Sequence, residues 1–161
     1  APPWIETHGD LTLLIKSSSF ETKSFSIPTP DVTYTVVVPA VNQVTFEVIS
    51  ISGVTKNWGA HTTIDLIPGD QDVNINMIPI PQINLLGGDI AWSDTSLSTN
   101  TQSYNLYRSN SSNGPYSLLI NTVSNGYSYS PPSGTTYYKV SIMSTSGEEG
   151  VLSDYVFSTI P

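Results

Sequence analysis

Apolar and polar residues alternate along this 161-residue chain in short runs, and this period of two restricts its fold more than any other feature. In residues 72–77 the apolar side chains are Val73, Ile75 and Met77, and the residues between them are polar. An extended strand places such a set on one buried face. No stretch shows convincing helical periodicity. The pattern therefore predicts an all-β protein of antiparallel strands.

Comparable runs recur through the first half of the chain, separated by residues that form turns. Pro, Gly, Asn and Asp are concentrated between the runs, where each favours a reversal of the backbone. Short strands at such spacing predict an antiparallel β-sandwich. The predicted strands are residues 11–15, 33–38, 44–51, 62–67 and 72–77, and a turn is predicted at 56–59.

Two prolines at alternate positions mark the best candidate domain boundary. Pro79 and Pro81 donate no backbone hydrogen bonds, oppose helix and prefer extended backbone. The alternation of apolar and polar residues restarts after them. We therefore predict two tandem antiparallel β-sandwich domains of the immunoglobulin-like kind, residues 1–78 and 83–161. The linker at 79–82 is too short for a flexible tether, so a semi-rigid joint is expected.

Four motifs follow one another in a recognisable order in the second half. They are Trp92 after an opening strand, YNLYRS at 104–109, GTTYYKV at 134–140 and SGEEG at 146–150. Residues 83–161 thereby resemble a fibronectin type III domain of the bacterial kind. The resemblance implies a module that binds, spaces or displays, with Trp92, Tyr104 and Tyr138 in its core. Either Tyr137 or Tyr138 fits the tyrosine corner of that family.

The first half has a weaker set of motifs. Residues 9–15 read GDLTLLI, and residues 66–70 read LIPGD before a further apolar run. Residues 1–82 thereby resemble the small sandwiches of the transthyretin-like or collagen-adhesin B-repeat kind. Another immunoglobulin-like topology fits the same residues.

The charge of the chain is negative in both halves, and its total is −8. Residues 1–82 contain three lysines and eight acidic residues, which gives a net charge of −5. Residues 83–161 contain two basic and five acidic residues, which gives a net charge of −3. Nucleic acids and anionic membranes need clustered Lys and Arg, so neither is an expected partner. No apolar run is long enough to span a bilayer. The sequence leaves open the alternative that a leader peptide or a lipid anchor has been removed.

No set of residues predicts catalysis or a cofactor. Cysteine is absent, which removes thiolate nucleophiles and thiolate metal ligands. The only histidines are His8 and His61, and no Gly-x-Ser-x-Gly motif accompanies them. Asp70 and Asp72 carry oxygen ligands that suit Ca²⁺, but the further acids of an EF-hand loop are missing, so calcium is disfavoured. We expect a protein that is not an enzyme.

Two places are candidates for binding a partner. One is the loop with Ser146, Gly147, Glu148 and Glu149, because binding usually resides on the loops of a rigid scaffold. The other is Trp58, whose indole lies in the predicted turn. An exposed indole stacks on a sugar or on a protein partner, and the alternative is that the ring caps the open end of a small core. The same alternatives apply to Trp4.

The features together predict a non-catalytic interaction, adhesion or spacer module. Its partner is a protein or a glycan, and its location is extracellular, on the cell surface or in the periplasm. The alternative is a carbohydrate-binding accessory region of a polysaccharide-degrading enzyme. Coplanar exposed aromatic rings on one sheet face would support that alternative.

Overall fold

The computed structural model describes residues 10–27, 35–52, 55–86, 88–93, 101–128 and 131–161. Every helix or strand among these residues is a β-strand, and the strands pair antiparallel. The prediction of an all-β, antiparallel protein is therefore confirmed. In this part of the chain no helix has the length and apolar character needed to cross a membrane. The chain divides into two compact units, Ala1–Met77 and Ile78–Pro161.

Among its described residues, the first unit contains four strands in the spatial order β2-β1-β3-β4. Residues Leu13 and Ile15 of one strand lie opposite Val48 and Phe46 of another, so these four side chains share one buried face. Complete burial of such a side chain contributes about 1.5–3 kcal/mol. The strands are β1 (Asp10–Ser17), β2 (Phe20–Ile27), β3 (Val44–Ser52) and β4 (Thr55–Ile64).

Two further segments of the first unit pack on this core without forming strands among the described residues. In residues 72–77 the predicted alternation is present in the burial: Val73, Ile75 and Met77 are half-buried, and the polar residues between them are exposed. Val36 and Val38 contact the same core. Residues 33 and 34 of the strand predicted at 33–38 lie outside the described residues.

Two predictions for the first unit were wrong. The turn predicted at 56–59 lies inside β4, because these residues pair with β3 across a bulge between Ser50 and Ile51. The predicted strand at 62–67 extends in the structure only as far as Ile64. Strand β2 was not predicted, since Lys23 occupies one of its half-buried positions and interrupts the apolar pattern.

The segment rich in proline begins the second unit. Ile78–Pro79 forms the short strand β5, and Gln82 begins the next strand. All four residues from Ile78 to Pro81 are buried, and Ile78 belongs to the core of the second unit. Only Ile80 and Pro81 of the predicted linker therefore lie outside strands.

In the part of the second unit that the structure describes, seven further strands form two antiparallel sheets. The spatial order is β10-β7-β6 in the three-stranded sheet and β12-β11-β8-β9 in the four-stranded sheet. The strands are β6 (Gln82–Leu86), β7 (Asp89–Ser93), β8 (Thr101–Ser109), β9 (Ser117–Thr122), β10 (Gly126–Ser128), β11 (Gly134–Ser144) and β12 (Val156–Ile160).

The core of the second unit draws side chains from both of these sheets. Trp92 of the three-stranded sheet meets Tyr104 of the four-stranded sheet edge to face, with 5.6 Å between the ring centroids. Tyr138 is only 1% exposed. The prediction that these three aromatic residues lie in the core is confirmed.

Candidate functional site

The outer face of the four-stranded sheet is the most distinctive surface of the second unit. Strand β11 sends Tyr138, Val140 and Ile142 into the core. Because successive side chains of a strand point to opposite sides, Tyr137 and Lys139 lie on the outer face. This face holds an aromatic cluster at one end and a carboxylate cluster at the other.

The aromatic cluster consists of Tyr116, Tyr137, Tyr155 and Phe157, and we call it the aromatic face. Tyr137 meets Tyr155 at 5.2 Å between ring centroids and 83° between ring planes. The ring centroids of Phe157 and Tyr137 are 5.8 Å apart, and their ring planes are inclined at 40°. Tyr155 is 45% exposed and Phe157 is 56% exposed, so these rings pack on one another while presenting much of their area to solvent.

Lys139 extends the aromatic face toward the middle of the sheet. Its Nζ atom lies 5.0 Å from the centroid of the Tyr116 ring, within the range of a cation–π contact. Burial, followed by the nearby phenols of Tyr155 and Tyr137, raises the pKa of Tyr116. The phenol is therefore neutral at neutral pH, and its ring is available as a negative face for the ammonium group.

The carboxylate cluster is centred on Glu149 and includes Asn105, Tyr107 and Ser141. Glu149 Oε1 accepts hydrogen bonds from Asn105 Nδ2 at 3.0 Å, from the Tyr107 hydroxyl at 2.6 Å and from Ser141 Oγ at 2.5 Å. Asn121 Nδ2 in turn donates to Asn105 Oδ1 at 2.7 Å. Hydrogen bonds to an ionised acceptor are about twice as strong as neutral ones, so this cluster holds its loop firmly.

Tyr107 is a strongly perturbed titratable residue of this cluster. Burial, then the hydrogen bond to Glu149 and the charge of that carboxylate, raise the pKa of Tyr107 to about 12, while the hydrogen bond with Asn105 lowers it. The hydroxyl therefore remains a donor to Glu149 at any physiological pH. The cluster has the features of a structural anchor, because its polar atoms are directed at one another.

The loop between β11 and β12 separates the predicted binding residues into two groups. Ser146, Gly147 and Glu148 form the exposed tip of a turn, in which Gly147 N donates to Ser144 O and Gly147 has a φ of +84°. Such a φ favours glycine. Glu149 instead turns back onto the sheet, and its backbone forms a bridge with Met143.

Trp58 lies in strand β4 and not at a loop tip. It is half-buried and lies opposite Ser50, which is completely buried, so the two residues share the core face of the first unit. Of the two alternatives for Trp58, this half-buried position agrees with a ring that packs on the core and not with an exposed indole in a turn. Trp4 and His8 lie outside the described residues.

The other candidates for chemistry are dispersed. His61 is exposed on β4, and Asp70 and Asp72 are exposed. Asp65 Oδ1 accepts a hydrogen bond from the Gln43 backbone N at 2.8 Å, which fixes a turn. Within the described ranges, no three His, Asp or Glu side chains are grouped as a metal site would require.

Sequence reasoning missed the aromatic face, although a signal for it exists. Once Tyr138 is placed in the core, its neighbour Tyr137 must point outward. Tyr155 directly precedes the last strand and Phe157 lies two residues further on, so extended backbone places both side chains on one side. No single strand reveals that these residues meet, because the contact depends on the pairing of β11 with β12.

No family model matches this sequence, and no curated protein matches it. The assignment of a function depends on the chain's own geometry.

Proposed function

We propose that this chain is a non-catalytic interaction or adhesion module that contacts its partner through the aromatic face. The observation that carries this proposal is the cluster of Tyr137, Tyr155 and Phe157, in which the half-buried Tyr137 contacts the other two rings and those two rings remain exposed to solvent. Exposed aromatic groups of this kind supply much of the energy at protein interfaces.

The strand arrangement of the second unit supports a sandwich of the fibronectin type III kind. Counting the strands from β6, the first, second and fifth share one sheet, and the third, fourth, sixth and seventh share the other. Immunoglobulin-like sandwiches likewise place the first, second and fifth strands together, and fibronectin type III domains share that architecture. The core between the two sheets, with Trp92 and Tyr104 in contact, supports the same proposal.

The rigidity of the site favours binding over catalysis. Two of the rings lie on the adjacent strands β11 and β12, and Tyr155 directly precedes β12. The Glu149 cluster anchors the loop that leads to Tyr155. A surface held in this way loses little conformational freedom when a partner binds.

The first unit then acts as a second domain in tandem with this binding domain, or as a spacer. We place the protein outside the cytoplasm: secreted, on the cell surface or in the periplasm, as in bacterial lipoproteins. The absence of cysteine agrees with a domain that does not depend on disulfides for its stability.

A carbohydrate-binding accessory region is the second candidate. The gathering of exposed aromatic rings on one sheet face favours it, since sugars stack on such rings. The angles of 83° and 40° between the ring planes disfavour it, because a flat polysaccharide requires coplanar rings. We therefore prefer a protein partner.

The test is a binding screen of the purified protein over immobilised polysaccharides and extracellular-matrix proteins. The informative variant is the double substitution Tyr155→Ala with Phe157→Ala. The matched control is Leu86→Ala, which removes a side chain that is 64% exposed on the three-stranded sheet. Binding to a protein that is lost in the double variant and kept in the control supports the proposal. Binding that all three proteins share would contradict it.

A further inference from the structure

The angles between the rings of the aromatic face leave several ring faces outside the contacts between the rings. In an edge-to-face pair such as Tyr137 and Tyr155, one ring presents its edge to the face of the other. Neither face of the first ring takes part in that contact, and only one face of the second ring does. The face of an aromatic ring carries negative electrostatic potential.

The second unit as a whole carries net negative charge. Residues 83–161 carry five acids against Arg108 and Lys139. Two of the acids, Glu148 and Asp154, are exposed in the segment between β11 and β12 that leads into Tyr155. An acidic surface with aromatic rings attracts a cationic group and repels an anionic one.

The chain itself provides an example of that attraction. Lys139 places its ammonium group 5.0 Å from the centroid of the Tyr116 ring. The aromatic face therefore already holds one cation against a phenol, and the rings of Tyr155 and Phe157 remain exposed beside it.

We infer that the partner presents a basic segment to the aromatic face, with an arginine or lysine side chain placed over Tyr155 or Phe157. This inference depends on the proposed function, since it names the chemistry of the partner that binds at that face. Arginine suits the site best because its planar guanidinium stacks on aromatic rings and is weakly hydrated.

The test uses three fluorescently labelled peptides of equal length, in which glycine alternates with arginine, glutamine or glutamate. Their affinities for the whole 161-residue protein are measured by fluorescence anisotropy at low and at physiological ionic strength. We expect the arginine peptide to bind most tightly and to lose affinity with added salt.

The decisive variants are Tyr155→Leu and Phe157→Leu, which keep an apolar side chain and remove the ring. Each should weaken binding of the arginine peptide by about 2- to 30-fold, the range expected for one cation–π contact. The control Leu86→Ala should leave the affinity unchanged, and thermal unfolding verifies that each variant is folded.

The possible results separate this inference from the proposed function. Equal affinity for the three peptides, no affinity for the arginine peptide, or binding that survives both leucine variants overturns the inference. If a neutral or acidic protein from the binding screen still depends on Tyr155 and Phe157, the proposed function stands without the basic partner. If no partner depends on either ring, both fail.

Discussion

Replacement of Glu149 by glutamine is the most informative single change to the stability of the second unit. The substitution keeps the size of the side chain and removes its charge. In the wild type, Glu149 Oε1 accepts hydrogen bonds from Asn105, Tyr107 and Ser141, at 3.0, 2.6 and 2.5 Å. A glutamine oxygen is a weaker acceptor, and its NH₂ group has to find new acceptors in a cluster that is rich in donors.

The expected cost follows from the number and kind of these hydrogen bonds. A hydrogen bond to a charged group contributes about 1.5–3 kcal/mol, against about 1 kcal/mol for a neutral one. Weakening three bonds in a half-buried cluster, where water replaces part of the loss, should lower the free energy of unfolding by about 1–3 kcal/mol. For a unit of this size, each kcal/mol corresponds to a fall in Tm of about 4–8 °C.

The assay is urea and thermal unfolding followed by tryptophan fluorescence. Trp92 is the only tryptophan of residues 78–161, so substitution of Trp4 and Trp58 by phenylalanine isolates the signal of the second unit. The matched control is Glu148→Gln at the exposed neighbouring position, which should change stability by less than about 0.5 kcal/mol. Equal stability of the two glutamine variants would refute the anchoring role of Glu149.

Three further predictions concern the same unit. The stability that Tyr107 contributes should be complete below pH 10, where the phenol is neutral in both states, and should be lost as the pH rises toward about 12, because only the unfolded phenol ionises in that window. The free energy of unfolding, measured by denaturation between pH 9 and 12, should therefore fall more in the wild type than in Tyr107→Phe. Because the side chain is half-exposed, this extra loss should be at most about 1 kcal/mol. Gly150→Ala should destabilise by about 1–3 kcal/mol in urea unfolding, since its Cβ would lie 2.9 Å from Ile78 Cγ2 in the core, and an unchanged midpoint would refute this close packing. Leu106→Ala should cost about 2–5 kcal/mol, because that side chain is completely buried between the sheets, and a loss below 1 kcal/mol would show that the core is looser than described.

The sequence predicted the core aromatic residues of the second unit more accurately than the strands of the first. The inward alternation of Tyr138, Val140 and Ile142 follows from period two alone, and strand pairing then extends it to Tyr104. In the first unit, Lys23 occupies a half-buried position in β2, and its charge concealed that strand.

Local turn chemistry misled the prediction at residues 56–59. Asn57 and Gly59 favour a turn when they are considered with their immediate neighbours. Pairing with β3 overrides that preference, because the ladder includes Lys56, Trp58 and Gly59 and accommodates Asn57 at the bulge. The same pairing places Trp58 on the core face.

The site was the least predictable part because it is built from residues distant in sequence. Glu149 receives hydrogen bonds from Asn105 and Tyr107, which precede it by 44 and 42 residues. The sequence indicated an exposed acidic turn, and Glu148 occupies such a position, but nothing local distinguishes it from Glu149. Likewise, Tyr137 joins Tyr155 only through the pairing of β11 and β12.

The most direct measurement is the affinity of a protein partner from the binding screen for the wild type, the Tyr155→Ala/Phe157→Ala double variant and Leu86→Ala. We predict that the double variant loses at least about tenfold in affinity, as expected when exposed aromatic contacts are removed from an interface, and that Leu86→Ala binds like the wild type. An affinity that is the same for all three proteins, each shown to be folded, would contradict the assignment of binding to the aromatic face.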